Sequence, residues 1–164
     1  SASPAKEETP AASMSEDDQK KVFDEKIGFR IVLLANLLSR PFYSGVGQLY
    51  KVGINEWRMM LVLKFHPNIS ATQIGELTGL QKMAVSRGVR QLIDQGYAGA
   101  GDDPVDGRKK IVNLTRAGRN VVDAVFPKAV ERDQQIRSGL SSEEHQVLLD
   151  LINKVSATIR ALDK

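Results

Sequence analysis

The chain has no cysteine, which excludes disulfide bridges, thiolate metal sites and thiol-based redox sensing. Histidine is nearly as scarce, with only His66 and His145 present. Two distant imidazoles without thiolates make a poor transition-metal site. No H-E-x-x-H or G-x-S-x-G motif occurs, and nothing assembles into a nucleophile or metal set. No enzyme, metal or cofactor is therefore expected. Long apolar runs are missing too: the longest, Ile31 to Leu38, is broken by Asn36, far short of the ~20 residues of a membrane span. The first residues are acidic and polar rather than basic and then apolar, so no secretory signal is read. The expectation is a cytoplasmic protein with no membrane partner. Aromatic residues make up only 5% of the chain, so the core must come mainly from Leu, Val, Ile and Ala.

What is present is an uneven charge. The net charge is +3, yet residues 1–19 hold Lys6 against Glu7, Glu8, Glu16, Asp17 and Asp18. That leaves the remainder distinctly basic. Between Gln81 and Arg119 lie Lys82, Arg87, Arg90, Arg108, Lys109, Lys110, Arg116 and Arg119, against Asp94, Asp102, Asp103 and Asp106. A local cationic excess suits a polyanionic partner, although a solvated basic surface has the same composition.

Residues 1–19 are rich in Ala, Ser, Pro and Glu without periodicity and read as a disordered tail. Ile27, Ile31, Leu34 and Leu38 recur at helical spacing, predicting one long helix from about Lys20 to Arg40 that Pro41 stops or kinks. A short helix around Ser44–Lys51, closed by Gly53, follows. Asn55 is expected to cap a helix with Trp57, Leu61 and Phe65 on one side, ending at His66-Pro67. Ser70-Ala71-Thr72-Gln73 is a capping-box pattern, opening a helix to about Thr78. Gly79 turns the chain into another helix, Gln81–Gln95, ended by Gly96. Beyond Tyr97, two β-compatible pieces flank Asp103-Pro104-Val105-Asp106-Gly107, and Asp-Gly between strands signals a hairpin. Ile111, Val112 and Leu114 form the return strand. Thr115 caps a helix that continues past Pro127 with a kink, and Ser141-Ser142-Glu143-Glu144 opens the last one. The expected fold class is mainly α with a small β-hairpin wing (α+β). Its segments are helices over 20–53, a reading head over 54–118 and helices over 119–164.

Two short helices joined by a tight turn and followed by a basic hairpin make a winged helix-turn-helix. The first helix buries Ile74 and Leu77, the second Val85, Val89 and Leu92. This leaves Gln81, Lys82, Ser86, Arg87 and Arg90 outward, residue types that read base edges or grip phosphates. Gln81, Lys82 and Ser86 are expected at bases, with Arg87 and Arg90 divided between bases and phosphates. An amphipathic helix with a merely polar outer side would have the same pattern. The hairpin discriminates, because Arg108, Lys109 and Lys110 have no core to serve there but can reach a minor groove and its phosphates. Thr72 and Asp106 complete the candidate DNA contacts.

The runs Ile74-Gly75-Glu76-Leu77, Gly79-Leu80, Val85-Ser86-Arg87, Leu92, Gly96, Asp103-Pro104, Asp106-Gly107-Arg108 and Leu114-Thr115-x-x-Gly118 resemble the MarR family of bacterial regulators. The resemblance implies that Asp106 orients Arg108 and that Arg108 enters a minor groove. It also implies a homodimer paired through its first and last helices, on palindromic double-stranded DNA. In the last helix the stripe Leu148, Leu151, Val155, Ile159 and Leu162 suits such a surface. A small aromatic acid or phenol is the implied effector, with Arg30, Tyr43, Tyr50, Trp57, Arg58 and His66 as candidate lining. Trp57 serves equally as a core anchor, and His66 as a helix-end residue. One departure is Gly99-Ala100-Gly101, where relatives often carry a basic residue. These glycines follow a helix and enter a hairpin without a Gly-Lys-Ser/Thr, so they are not a phosphate loop. The expected function is a sequence-specific repressor. The competing reading is an architectural or protein-binding winged helix with no sequence preference.

Overall fold

A computed structural model describes residues 13–164, apart from the side chains of Tyr43 and Ser44. The chain divides into two compact units, 1–54 and 55–164. Most of the expected tail lies outside the described residues, but its end does not: α1 (Glu16–Glu25) already occupies residues 16–19. Ser15 caps α1 by accepting the Asp18 N–H at 3.2 Å. Glu16, Asp17 and Asp18 place negative charge at the positive end of the helix dipole.

The single helix expected from Lys20 to Arg40 is in fact two. Lys26 is extended (φ −68°, ψ 112°) and separates α1 from α2 (Ile27–Ser44). Pro41 does not end α2. It sits in the last turn, where it forfeits only the bond its missing N–H would make to the Leu37 carbonyl, and the helix runs on to Ser44. Then comes α3 (Val46–Tyr50), turned out of the helix by Lys51 at φ 54° and not by Gly53.

The second unit takes in nearly all of α4 (Ile54–Phe65), followed by α5 (Ala71–Thr78), α6 (Lys82–Asp94), β1 (Ala98–Asp102), β2 (Lys110–Leu114), α7 (Arg116–Arg137) and α8 (Ser142–Leu162). Asn55 lies inside α4 and does not cap it. The core joins Trp57, Met59, Met60 and Leu63 of α4 to Ile69, Ile74, Val85 and Leu92. Ala98, Ile111, Val112 and Leu114 of the hairpin and Val121, Val122 and Val125 of α7 complete it. Phe65, expected beside Trp57 on the packed side, is exposed, though its ring lies 5.3 Å from that of Phe126. Next to this pair Lys64 meets Asp123 at 2.7 Å, so the end of α4 is tied to α7 twice.

Two core expectations need correction. Leu77 is 48% exposed: the inner side of α5 runs from Ile74 to half-buried Thr78, one turn on, whose hydroxyl donates to the Ile74 carbonyl at 2.7 Å. Val89 is only half-buried, because α6 approaches α4 at Gly88.

The hairpin is antiparallel, pairing Ala98 with Leu114 and Asp102 with Lys110. A third segment docks on β2: the Val112 N–H donates to the Ile69 carbonyl at 2.8 Å. Beside it Asn68 and Asn113 bond reciprocally, the Asn68 N–H to Asn113 Oδ1 at 2.8 Å and Asn113 Nδ2 to Asn68 Oδ1 at 2.9 Å. The wing is thereby anchored to the segment that opens α5. α7 continues as one helix through Pro127. α8 buries no residue; Leu148, Leu151 and Ile159 are exposed along it and Val155 is half-buried. Among the described residues no helix is long and apolar enough to cross a membrane, and no group of three potential metal ligands occurs.

Candidate nucleic-acid interface

The reading head is built from local signals. Ser70 Oγ accepts the Gln73 N–H at 3.2 Å while Gln73 Oε1 accepts the Ser70 N–H at 2.9 Å, closing the box that starts α5. Thr72 is exposed in the first turn. Gly79, at φ 74°, reverses the chain, and its N–H returns to the Gly75 carbonyl at 2.8 Å. The Leu80 N–H is taken by Thr78 Oγ1 at 3.2 Å. Gln81 then stands at the N-cap of α6 in extended conformation without using its side chain as a cap, so the exposed amide remains available to an external partner.

Along α6 the buried positions are Val85, Gly88 and Leu92. At about 100° per residue these define one side, and Lys82, Met83, Ser86, Arg87 and Arg90 are exposed on the remainder. The polar members match the expectation. Met83 does not figure in it: this large apolar side chain is 69% exposed. A search for hydrogen-bonding side chains passes over a thioether; the signal that would have found it is its angular position opposite Leu92.

Two aspartates shape the tip of the wing. Asp103 Oδ1 accepts the Val105 N–H at 2.9 Å, and Asp106 Oδ1 accepts the Arg108 N–H at 3.2 Å. The Lys109 N–H meets the Asp106 carbonyl, and the Asp103 N–H the Lys109 carbonyl, both at 2.9 Å. The D-P-x-D-x-R pattern is thus a pair of side-chain-closed turns. Asp106 contacts Arg108 through the backbone and, among the described residues, makes no ion pair with its guanidinium.

The eight cations of the basic window divide into two sets. Lys110 is paired with Asp102 directly across the hairpin, and Arg119 donates to the Leu114 carbonyl at 2.8 Å. Lys82, Arg87, Arg90, Arg108, Lys109 and Arg116 are exposed and have no acidic partner among the described residues. An array of uncompensated cations on a helix, an adjoining hairpin tip and the start of the next helix is a ready counterion for phosphates.

The six effector candidates divide between the units, with Arg30, Tyr43 and Tyr50 in the first and Trp57, Arg58 and His66 in the second. Arg30, in α2, donates from Nε to the Asp24 carbonyl at 3.0 Å. Tyr50 is half-buried in α3, and the side chain of Tyr43 lies outside the described residues. Trp57 is buried in the core of the second unit, while Arg58 and His66 are exposed.

Two helices across a tight turn, with a hairpin continuing from the second, define a winged helix-turn-helix. Residues 50–109 match the profile of the MarR family, and over that segment the chain is similar to that family. Over 113 residues it is 25% identical to the HTH-type transcriptional regulator YdgJ of Bacillus subtilis, covering 68% of this chain and 69% of that protein. The crystal structure of a MarR/EmrR family transcriptional regulator from Acinetobacter sp. ADP1 superposes with a TM-score of 0.74 at 26% identity, covering 90% of this chain and 99% of that one. Bordetella bronchiseptica BpsR, whose DNA binding is regulated by 6-hydroxynicotinic acid, shares the fold. Its TM-score is 0.67 at 22% identity, with 82% of this chain and 95% of that one covered. The protein is a DNA-binding transcriptional regulator.

Proposed function

We propose that this regulator is a sequence-specific repressor that binds an inverted repeat as a homodimer. The observation that carries the reading is the set of six cations on α6, the wing tip and the start of α7 that have no acidic partner among the described residues. Lys82, Gln81 and Ser86 are assigned to base edges. Arg87 and Arg90 are divided between bases and phosphates, Thr72 and Lys109 grip phosphates, and Arg108 enters the minor groove. Asp106 sets the backbone from which Arg108 projects. Lys110, spent on Asp102, contributes least.

The dimer reading is supported by apolar side chains exposed on the outer helices: Ile27, Ile31, Leu34 and Leu38 in α2, and Leu148, Leu151, Ile159 and Leu162 in α8. Apolar surface on this scale is costly in water and suits a second copy. A two-fold pair offers two α6 helices to half-sites about one DNA turn apart.

A duplex selected by the whole chain from a random library provides the test. Unlabelled random duplex at fixed salt should compete on the order of 10³-fold more weakly than the selected one, with two chains bound per duplex in analytical ultracentrifugation. Equal competition would favour the architectural reading.

The effector class proposed is a small aromatic acid, supported by the compound that acts on BpsR. Titrating 6-hydroxynicotinic acid and simple hydroxybenzoates into the complex should release the selected duplex. No response to any of them would remove this class.

A further inference from the structure

We propose that Met83 is a specificity-determining residue that reads the C5-methyl group of a thymine in the major groove; this rests on the reading of α6 as a recognition helix. Nine residues separate Met83 from fully buried Leu92, which at about 100° per residue places them on opposite sides of the helix. Val85 and Gly88, the other buried positions, lie on the Leu92 side. Met83 therefore stands at the centre of the outward face in the first turn, with Lys82 beside it and Ser86, Arg87 and Arg90 three, four and seven residues on.

In the free protein this position is costly: the side chain is 69% exposed and gives water nothing to bond. The first turn of a recognition helix is also the part that approaches the base edges most closely. A thioether has no donor and only a weak acceptor, so it cannot read the polar edges of guanine, cytosine or adenine. The one apolar group the major groove displays is the thymine methyl. An unbranched side chain with three rotatable bonds adapts to meet it. The neighbouring cations fix the helix on the backbone, and Met83 supplies an apolar test at one step.

The experiment uses the whole chain and the library-selected duplex, with each thymine replaced in turn by uracil, which removes only the methyl. Affinities are measured for the wild type, Met83→Ala and Met83→Leu. At one position per half-site, uracil should weaken wild-type binding about fourfold, the value of one buried methyl. The same replacement should leave Met83→Ala unaffected, while Met83→Leu should keep most of the discrimination. If every uracil replacement costs Met83→Ala as much as it costs the wild type, the assignment is wrong although base reading stands. If the library yields no preferred sequence, base reading fails and Met83 falls with it. Because Met83 is exposed, Met83→Ala should unfold at the wild-type temperature, so weaker binding by this variant cannot be put down to unfolding.

Discussion

Arg160, in the last turn of α8, donates from its guanidinium to the Glu76 carbonyl at 2.7 Å, closing a distance of 84 residues in sequence. The last carbonyls of a helix have no partner within it. In α5 the Gly75 carbonyl is met by the Gly79 N–H just past the helix end, while that of Glu76 is met from α8. The C-terminal helix thus holds the helix that leads into the reading head. Arg160→Ala should lower stability by about 0.2–1 kcal/mol, the range for an exposed charged contact. It should also speed hydrogen exchange at the Gly79 amide, in the turn that follows α5. A denaturation midpoint and a Gly79 exchange rate both unchanged would show that the contact holds nothing.

Packing between α4 and α6 depends on the absence of a side chain at Gly88. A Cβ there would lie 2.1 Å from Met59 Cε and 3.0 Å from its Sδ, and Met59 is fully buried. Overpacking costs about 1–3 kcal/mol, offset by up to about 1 kcal/mol of helix propensity gained. Gly88→Ala should therefore destabilise by about 1–2 kcal/mol and tilt α6 enough to weaken DNA binding. Shortening Met59 should relieve the clash, so the double variant Met59→Ala/Gly88→Ala should be more stable than the sum of its parts. Gly118 differs in kind: its Cβ would sit 2.0 Å from the Tyr97 carbonyl oxygen, which is backbone and already accepts the Thr115 N–H at 3.0 Å. Gly118→Ala should cost about 3 kcal/mol. Thermal melts ranking Gly88→Ala below Gly118→Ala in stability would contradict this account.

The two capping boxes separate stability from function. Ser141 Oγ accepts the Glu144 N–H at 3.0 Å and Glu144 Oε1 accepts the Ser141 N–H at 2.9 Å, the same arrangement as Ser70 and Gln73. Replacing either serine by alanine should cost about 1 kcal/mol. Only Ser70→Ala frays a helix of the reading head, so only it should also weaken duplex binding at a temperature where both variants are folded. Equal binding losses in the two variants would remove the distinction.

Features set by a few consecutive residues were legible in the sequence. Both capping boxes, the Gly79 turn and the Asp106-Gly107 hairpin each depend on neighbours within about four residues, and each stands where the pattern placed it. The Lys26 break was hidden because Ile27, Ile31, Leu34 and Leu38 keep helical spacing right up to it. Pro41 misled in the opposite way, since one missing hydrogen bond in a last turn is too little to stop a helix. In the candidate site, Gln81, Lys82, Ser86, Arg87 and Arg90 could be assigned outward from periodicity alone. Met83 lay on the same face but was passed over for its chemistry. The neutralisation of Lys110 needed the strand register, which places Asp102 opposite it eight residues away. Pairing over such a separation is a tertiary fact, as is the bond from Arg160.

That register makes the wing charges unequal, and salt dependence can measure the difference. Removing one phosphate-binding cation should flatten the slope of log affinity against log salt by about 0.9. Arg108 and Lys109 have no acidic partner among the described residues, so Arg108→Ala and Lys109→Ala should each remove close to a full unit of slope. Lys110 must first leave Asp102 to meet a phosphate, and Lys110→Ala should change the slope by much less. Asp102→Asn removes the competing carboxylate and frees Lys110. This variant should bind DNA more tightly at low salt, with a steeper slope than the wild type and with the gain shared by random duplex, because a phosphate carries no sequence. If Lys110→Ala flattens the slope as much as Arg108→Ala, the Asp102 pair does not persist in solution, and all three wing cations meet DNA alike.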